Sequence, residues 1–130
     1  PKTERKDETI DSVVTGAATG DTGFGADKTI KNTEHTYHLV QTAEEIDVLI
    51  KTLLEQNEIC FDTETTGIDA NDAELVGMSF SVTPHEAYYI PCPADQEATK
   101  KILEQFKPLF NSSSVTWIGQ NLKYEMLVLK

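Results

Sequence analysis

Two carboxylates stand two residues apart in Phe61-Asp62-Thr63-Glu64-Thr65, directly after the apolar run Ile59-Cys60-Phe61. In an extended chain residues i and i+2 point to the same side, so Asp62 and Glu64 are expected on one face at the exit of a buried strand, placed to share a metal ion. Hard cations such as Mg²⁺ take oxygen ligands and keep several waters, which makes one or two carboxylates completed by a substrate phosphate the usual arrangement. An arbitrary Asp-x-Glu is more often a solvated pair of acids closing a strand. Here the apolar strand before the pair, the flanking threonines, and Gly67-Ile68-Asp69 with a hairpin behind it favour the metal-binding reading.

The elements that must position these acids follow from period and punctuation. His38-Leu39-Val40 makes a short strand, and Thr42-Ala43-Glu44-Glu45 is a capping box whose hydroxyl and carboxylate satisfy free helical N–H groups. Ile46, Leu49, Ile50, Leu53 and Leu54 then form one apolar stripe at helical spacing. Ile59-Cys60-Phe61 is expected to be a central strand covered on both faces. Leu75 to Val82 alternates Val76, Met78, Phe80 and Val82 with Gly77, Ser79 and Ser81, a period-two strand. Thr83-Pro84-His85-Glu86 turns the chain, and Ala87-Tyr88-Tyr89-Ile90 returns it before Pro91 and Pro93, which cannot donate to a ladder. A second helix carries Ala98, Ile102, Leu103 and Phe106 ahead of Pro108, and Val115 to Ile118 is a further core strand. A last helix beginning at Asn121 sets Leu122, Met126 and Leu129 on one side. The order β, α, β, β, β, α, β, α is a mixed α/β layout. Residues 1 to 35, rich in Thr, Gly, Asp and Lys without an apolar period, read as a flexible interdomain linker ahead of a domain over 36 to 130.

With 130 residues and 38% hydrophobic content, the chain holds one ordinary domain. No apolar run approaches the roughly 18 to 20 residues that cross a bilayer, and charged Pro1 to Lys6 has no apolar segment behind it, so a cytoplasmic location without a membrane partner is expected. Cys60 and Cys92 lack the spacing of a zinc site or a redox pair. Asn111-Ser112-Ser113 reads as a polar turn, and Asp21-Thr22-Gly23 as a loop, not a protease triplet. A net charge of -11 repels a phosphate backbone at long range, which counts against a stand-alone DNA grip but not against a carboxylate metal site. Tyr88 and Tyr89 are expected as strand residues with one ring buried, Trp117 as structural, and His35, His38 and His85 as solvated or loop residues without partners.

From about Tyr37 to Lys130 the sequence resembles the DEDD exonuclease superfamily, specifically the proofreading domains of bacterial DNA polymerase I, with ribonuclease D as a more distant cousin. Phe61-Asp62-Thr63-Glu64-Thr65 matches the first motif, Leu75-Val76-Gly77-Met78-Ser79-Phe80 the strand after it, and Tyr89-Ile90-Pro91 the hairpin return. Gly119-Gln120-Asn121-Leu122-Lys123-Tyr124-Glu125 matches the second motif, which ordinarily reads G-x-N-x-K-Y-D. The resemblance implies a ribonuclease-H-like mixed sheet flanked by helices, here incomplete at the C-terminus, and metal-dependent removal of nucleotides from DNA 3′ ends. It implies two ions, Mg²⁺ or Mn²⁺, about 4 Å apart, with Asp62 ligating both, Glu64 binding one and orienting the attacking water, and Glu125 standing where the family has its second aspartate. It further places Thr63, Ile68, Gln120, Asn121, Lys123 and Tyr124 at the nucleic acid. Thr63's backbone and Ile68 would line the 3′-end pocket, Ile68 as a wedge against a base. Lys123 fits a phosphate contact or a helix-surface cation near Glu125 equally well.

Two departures accompany the match. Glu125 is one methylene longer than aspartate, and the family's last motif, with a water-positioning tyrosine and a final metal-binding aspartate, would lie beyond Lys130. The 130 residues alone are therefore expected to lack significant nuclease activity. The partners implied are a DNA 3′ end and the polymerase and 5′-nuclease domains of a parent chain. Two alternatives stand beside proofreading: a catalytically decayed domain serving as a structural spacer, and a ribonuclease D-like exoribonuclease.

Overall fold

The computed structural model describes Thr29 and residues 31–129. The linker expected over 1 to 35, with its Asp21-Thr22-Gly23, lies almost wholly outside the described residues. The elements follow the expected order: β1 (Thr36–Leu39), α1 (Ala43–Leu54), β2 (Glu58–Thr65), β3 (Leu75–Thr83), β4 (Glu86–Pro91), α2 (Gln96–Phe110), β5 (Thr116–Ile118) and α3 (Leu122–Val128). No helix among the described residues is long and apolar enough to cross a membrane.

The strands form one mixed sheet in the order β1-β4-β3-β2-β5. The β3–β4 hairpin lies beside β2, antiparallel to it, while the outer strands β1 and β5 run parallel to their neighbours β4 and β2. The capping box forms in full at α1: the Glu45 amide donates to Thr42 Oγ1 (3.2 Å), and Glu45 Oε2 accepts from the amides of Gln41 (2.8 Å) and Thr42 (3.0 Å). Those two backbone amides, Gln41 first, hold the Glu45 carboxyl below its ordinary pKa. Ile46, Leu49, Ile50 and Leu53 bury the stripe that periodicity defined, whereas Leu54 stays partly exposed.

These side chains meet Ile59, Phe61, Met78, Phe80 and Ile90 from the sheet and Phe106 and Leu109 from α2 in a single core. Aromatic rings fill its centre. Phe80 stacks on Phe106 with centroids 5.3 Å apart, and Phe61 meets Trp117 edge-on at 5.8 Å, which gives Trp117 the structural role expected of it.

Several sequence expectations need correction. β2 is covered on one face only, because the helices pack on the side of Ile59, Phe61 and Thr63; Cys60 is exposed. In β3 the alternation breaks at Val76. A β-bulge opposite Glu64 and Thr65 inserts this residue, so that Leu75 is buried and Val76 is turned out. α2 continues through Pro108 to Phe110, since a proline near a helix end removes only one late hydrogen bond and Leu109 and Phe110 gain core contacts. Met126 is 74% exposed, not on the buried side of α3. His38 has a partner after all: its Nε2 lies 2.7 Å from Glu86 Oε1, and its ring stacks on Tyr88. Cys92 is buried, which pushes its thiol up to about 11.

Phe106 is fully buried between Phe80 and Phe110. Phe106→Ala is expected to cost about 3–5 kcal/mol, measured as a lowered urea midpoint with an unchanged slope.

Candidate active site

Asp62 and Glu64 both lie on the exposed face of β2, and Thr63 between them is turned inward at 9% exposure. The common side expected from strand geometry is thus observed. Asp62 pairs with Ser79 and Glu64 with Gly77, and the bulge beside Glu64 starts the chain out of the sheet.

The third acid arrives on α3. The approach passes Gly119, where an added Cβ would come within 2.8 Å of the Phe61 carbonyl oxygen and 2.7 Å of the Leu122 side chain, so only glycine lets the chain run this close to β2. Asn121 then takes left-handed backbone angles, φ 53° and ψ 44°, a region Asn tolerates better than most residues. Its carbonyl accepts from the amides of Tyr124 (2.8 Å) and Glu125 (3.3 Å), opening the helix without a side-chain cap.

Glu125 is 5% exposed. It borders an apolar cleft of about 400 Å³ with Phe61, Phe110, Trp117 and Leu122. Burial pushes its carboxyl above the ordinary 4.5; the neighbouring Thr63 hydroxyl works the other way, and the charge of Asp62 adds to the rise. Even so, Glu125 Oε2 and Thr63 Oγ1 are both buried without a hydrogen-bond partner. An acceptor held dry beside a second carboxylate is costly unless something cationic or protonated meets it.

Among the described residues no group of three or more Asp, Glu, His or Cys converges closely enough to hold a metal ion. What the fold brings together is Asp62 with Glu125, and Glu64 on the same face as Asp62. One or two carboxylates are all that Mg²⁺ asks of a protein when waters and phosphate complete its shell, and the orphaned Glu125 oxygen is a ready acceptor. The Asp62–Glu125 pair fits one such ion, with Glu64 on the same face as Asp62. A two-ion centre needs more donors than these acids supply.

A second cleft, of about 460 Å³, opens between α3 and the loop after β2, and Ile68, Asn121, Lys123 and Tyr124 all line it. Ile68 is 98% exposed. Its loop is closed on itself: the Thr66 amide donates to the Glu74 carbonyl (3.0 Å), and the Glu74 amide to Thr66 Oγ1 (2.9 Å). The Tyr124 hydroxyl fastens α3 to this corner, donating to the Gly67 carbonyl at 2.7 Å and lying 2.7 Å from Thr65 Oγ1. Gln120 and Thr63 do not line this cleft; Gln120 is exposed beside it in sequence, and Thr63 faces Glu125.

Sequence reasoning missed two groups, the Thr63 hydroxyl and the Tyr124 hydroxyl. The first was readable from the same alternation that placed Asp62 and Glu64 outward. For the second no local signal exists.

Residues 37–130 match the family model described as 3′-5′ exonuclease. The chain belongs to the 3′-5′ exonuclease family. It is 37% identical over 102 residues to DNA polymerase I of Pseudomonas aeruginosa, covering 74% of this chain and 11% of that protein, and 36% identical over 105 residues to DNA polymerase I of Borreliella burgdorferi, covering 78% and 12%. The chain thus spans about a tenth of these relatives. Among solved structures it is similar to the catalytic core of RRP6 from Trypanosoma brucei (TM-score 0.58, 16% identity, 75% of this chain and 26% of that one) and to Brucella melitensis NrnC (TM-score 0.53, 18% identity, 75% and 43%). The exonuclease fold is therefore the ribonuclease-H-like α/β fold expected.

Tyr124→Phe removes the bonds to Gly67 and Thr65, and is expected to lower stability by about 1 kcal/mol and to speed amide exchange across residues 66–74. A pH effect attaches to Glu125. Its folded pKa lies above 4.5, so the folded state holds this proton more tightly than the unfolded one. Its contribution is fully present below the unfolded value and is lost as pH rises through the folded value. Glu125→Gln is expected to flatten that decline, as read by denaturant unfolding at stepped pH.

Proposed function

We propose that this chain forms part of the proofreading exonuclease of a DNA polymerase I, acting on DNA 3′ ends with Mg²⁺ or Mn²⁺. The observation that carries this reading is the meeting of Asp62 and Glu125, distant in sequence, at the exposed face of β2 where Glu64 also stands. Two divalent ions, when bound, supply an activated water and neutralise charge on the scissile phosphate and the leaving 3′ oxygen. Asp62 and Glu64 hold the metal face of the site, and Glu125 reaches it from α3. Ile68 wedges against the terminal base, Asn121 and Gln120 contact the terminal nucleotide, and Lys123 meets a phosphate. Tyr124 fixes the cleft through its own hydroxyl.

The net charge of -11 favours a division of labour in which the polymerase domain of the parent chain supplies the basic surface that guides a frayed primer here. A 5′-nuclease domain in the same parent and a cytoplasmic location complete this reading.

A second reading has its own observation. Glutamate at position 125 moves the carboxylate by about an ångström relative to aspartate, and misplacement of that size costs on the order of 100-fold in rate. This is what a domain retained for its architecture would tolerate. Ribonuclease action is favoured less, because the DNA polymerase I relatives are 36–37% identical whereas Escherichia coli RNase D, described as an exoribonuclease involved in structured RNA processing, is 19% identical.

The test is release of label from the 3′ end of single-stranded DNA and RNA by the parent polypeptide. Proofreading predicts metal-dependent digestion of DNA that Asp62→Ala abolishes. Activity appearing only in Glu125→Asp would mark the spacer, and a preference for RNA would refute the DNA assignment.

A further inference from the structure

Tyr89 stands on the same open face of the sheet as the two strand acids. Register makes this explicit: Tyr89, Ser79 and Asp62 form one row across β4, β3 and β2, and Pro91, Gly77 and Glu64 form the row two residues along. The Tyr89 ring does not stay above its own row. It leans over Gly77, so closely that a Cβ there would meet ring atom Cε2 at 2.7 Å and the phenol oxygen nearer still. Gly77 is the one residue type that leaves room for this.

Directly opposed residues of an antiparallel pair have Cβ positions about 4.5–5.5 Å apart. A hydroxyl above Gly77 therefore stands beside the Glu64 side chain, within reach of its carboxylate. The hydroxyls of the two neighbouring site and sheet tyrosines are engaged, Tyr124 with Gly67 and Tyr88 with Glu86. Among the described residues no hydrogen bond engages that of Tyr89. An uncommitted donor next to an exposed acid has one natural acceptor.

We propose that Tyr89 is a positioning residue for Glu64: its hydroxyl, seated over Gly77, donates to the carboxylate oxygen that does not face the cation and so fixes the rotamer in which the other oxygen ligates. This rests on the metal-site reading above. Ligating carboxylates are ordinarily hydrogen-bonded in turn, and losing such a partner typically weakens metal affinity 10- to 100-fold.

The experiment is Mn²⁺ binding to the full chain followed by electron paramagnetic resonance, with thermal melting alongside. Tyr89→Phe keeps the ring over Gly77 and should melt with the wild type while binding Mn²⁺ about 10-fold more weakly. Gly77→Ala keeps the hydroxyl but displaces the ring, and should lose affinity comparably; it decides the matter if the phenylalanine variant does not fold. Unchanged affinity in folded Tyr89→Phe overturns the proposal and leaves the site standing. Wild-type binding no tighter than that of Asp62→Ala overturns the metal site itself, and this inference with it.

Discussion

Strand β2 must be apolar toward the helices and polar toward water, and the geometry of the site descends from that division. Ile59, Phe61 and Thr63 face the core; Cys60, Asp62 and Glu64 face outward. A carboxylate buried without a partner costs several kcal/mol, so two acids can sit on an interior strand only if one face of the sheet stays open. The stacking of the helices on the opposite face meets that condition. It also leaves Glu125 as the exception, a carboxylate drawn under α3 against an apolar wall and held there with one oxygen unmatched.

α3 is seven residues long and has no side-chain cap, too short to hold its place by helix propensity. Its position comes from tertiary contacts: the close passage at Gly119, the Val128 and Leu129 side chains against the core, and the Tyr124 hydroxyl on the loop corner. The aim of Glu125 toward Asp62 is therefore a property of packing, whereas the shared face of Asp62 and Glu64 is a property of the strand.

This difference governs how much could be read in advance. The capping box at Thr42, the stripe from Ile46 to Leu53 and the outward acid pair are local, and each appears where spacing alone put it. The places that escaped are those where a neighbour overrides the local pattern. The bulge at Val76 answers to the partner strand, the helix continues past Pro108 because Leu109 and Phe110 find core contacts, and His38 is paired because parallel register sets Glu86 nearby. At the site, Glu125 was recognisable only through its motif, since nothing in a helix of mixed residues announces a buried acid. The role of Thr63 followed from alternation once the covered face was known.

The bond between Tyr124 and Thr65 joins residues 59 apart, and this bears on timing. A ribosome adds about 5–20 residues per second, so β2 is finished several seconds before the residue that closes the corner behind it exists. Contacts of such separation form late, after the loop between them has been ordered. During that interval the nascent chain displays its acids on an open strand, with no Glu125 beside them and no cleft. The meeting of Asp62 with Glu125 thus matures later than the strand that carries the first two acids, whatever the speed at which the hairpin beside it folds.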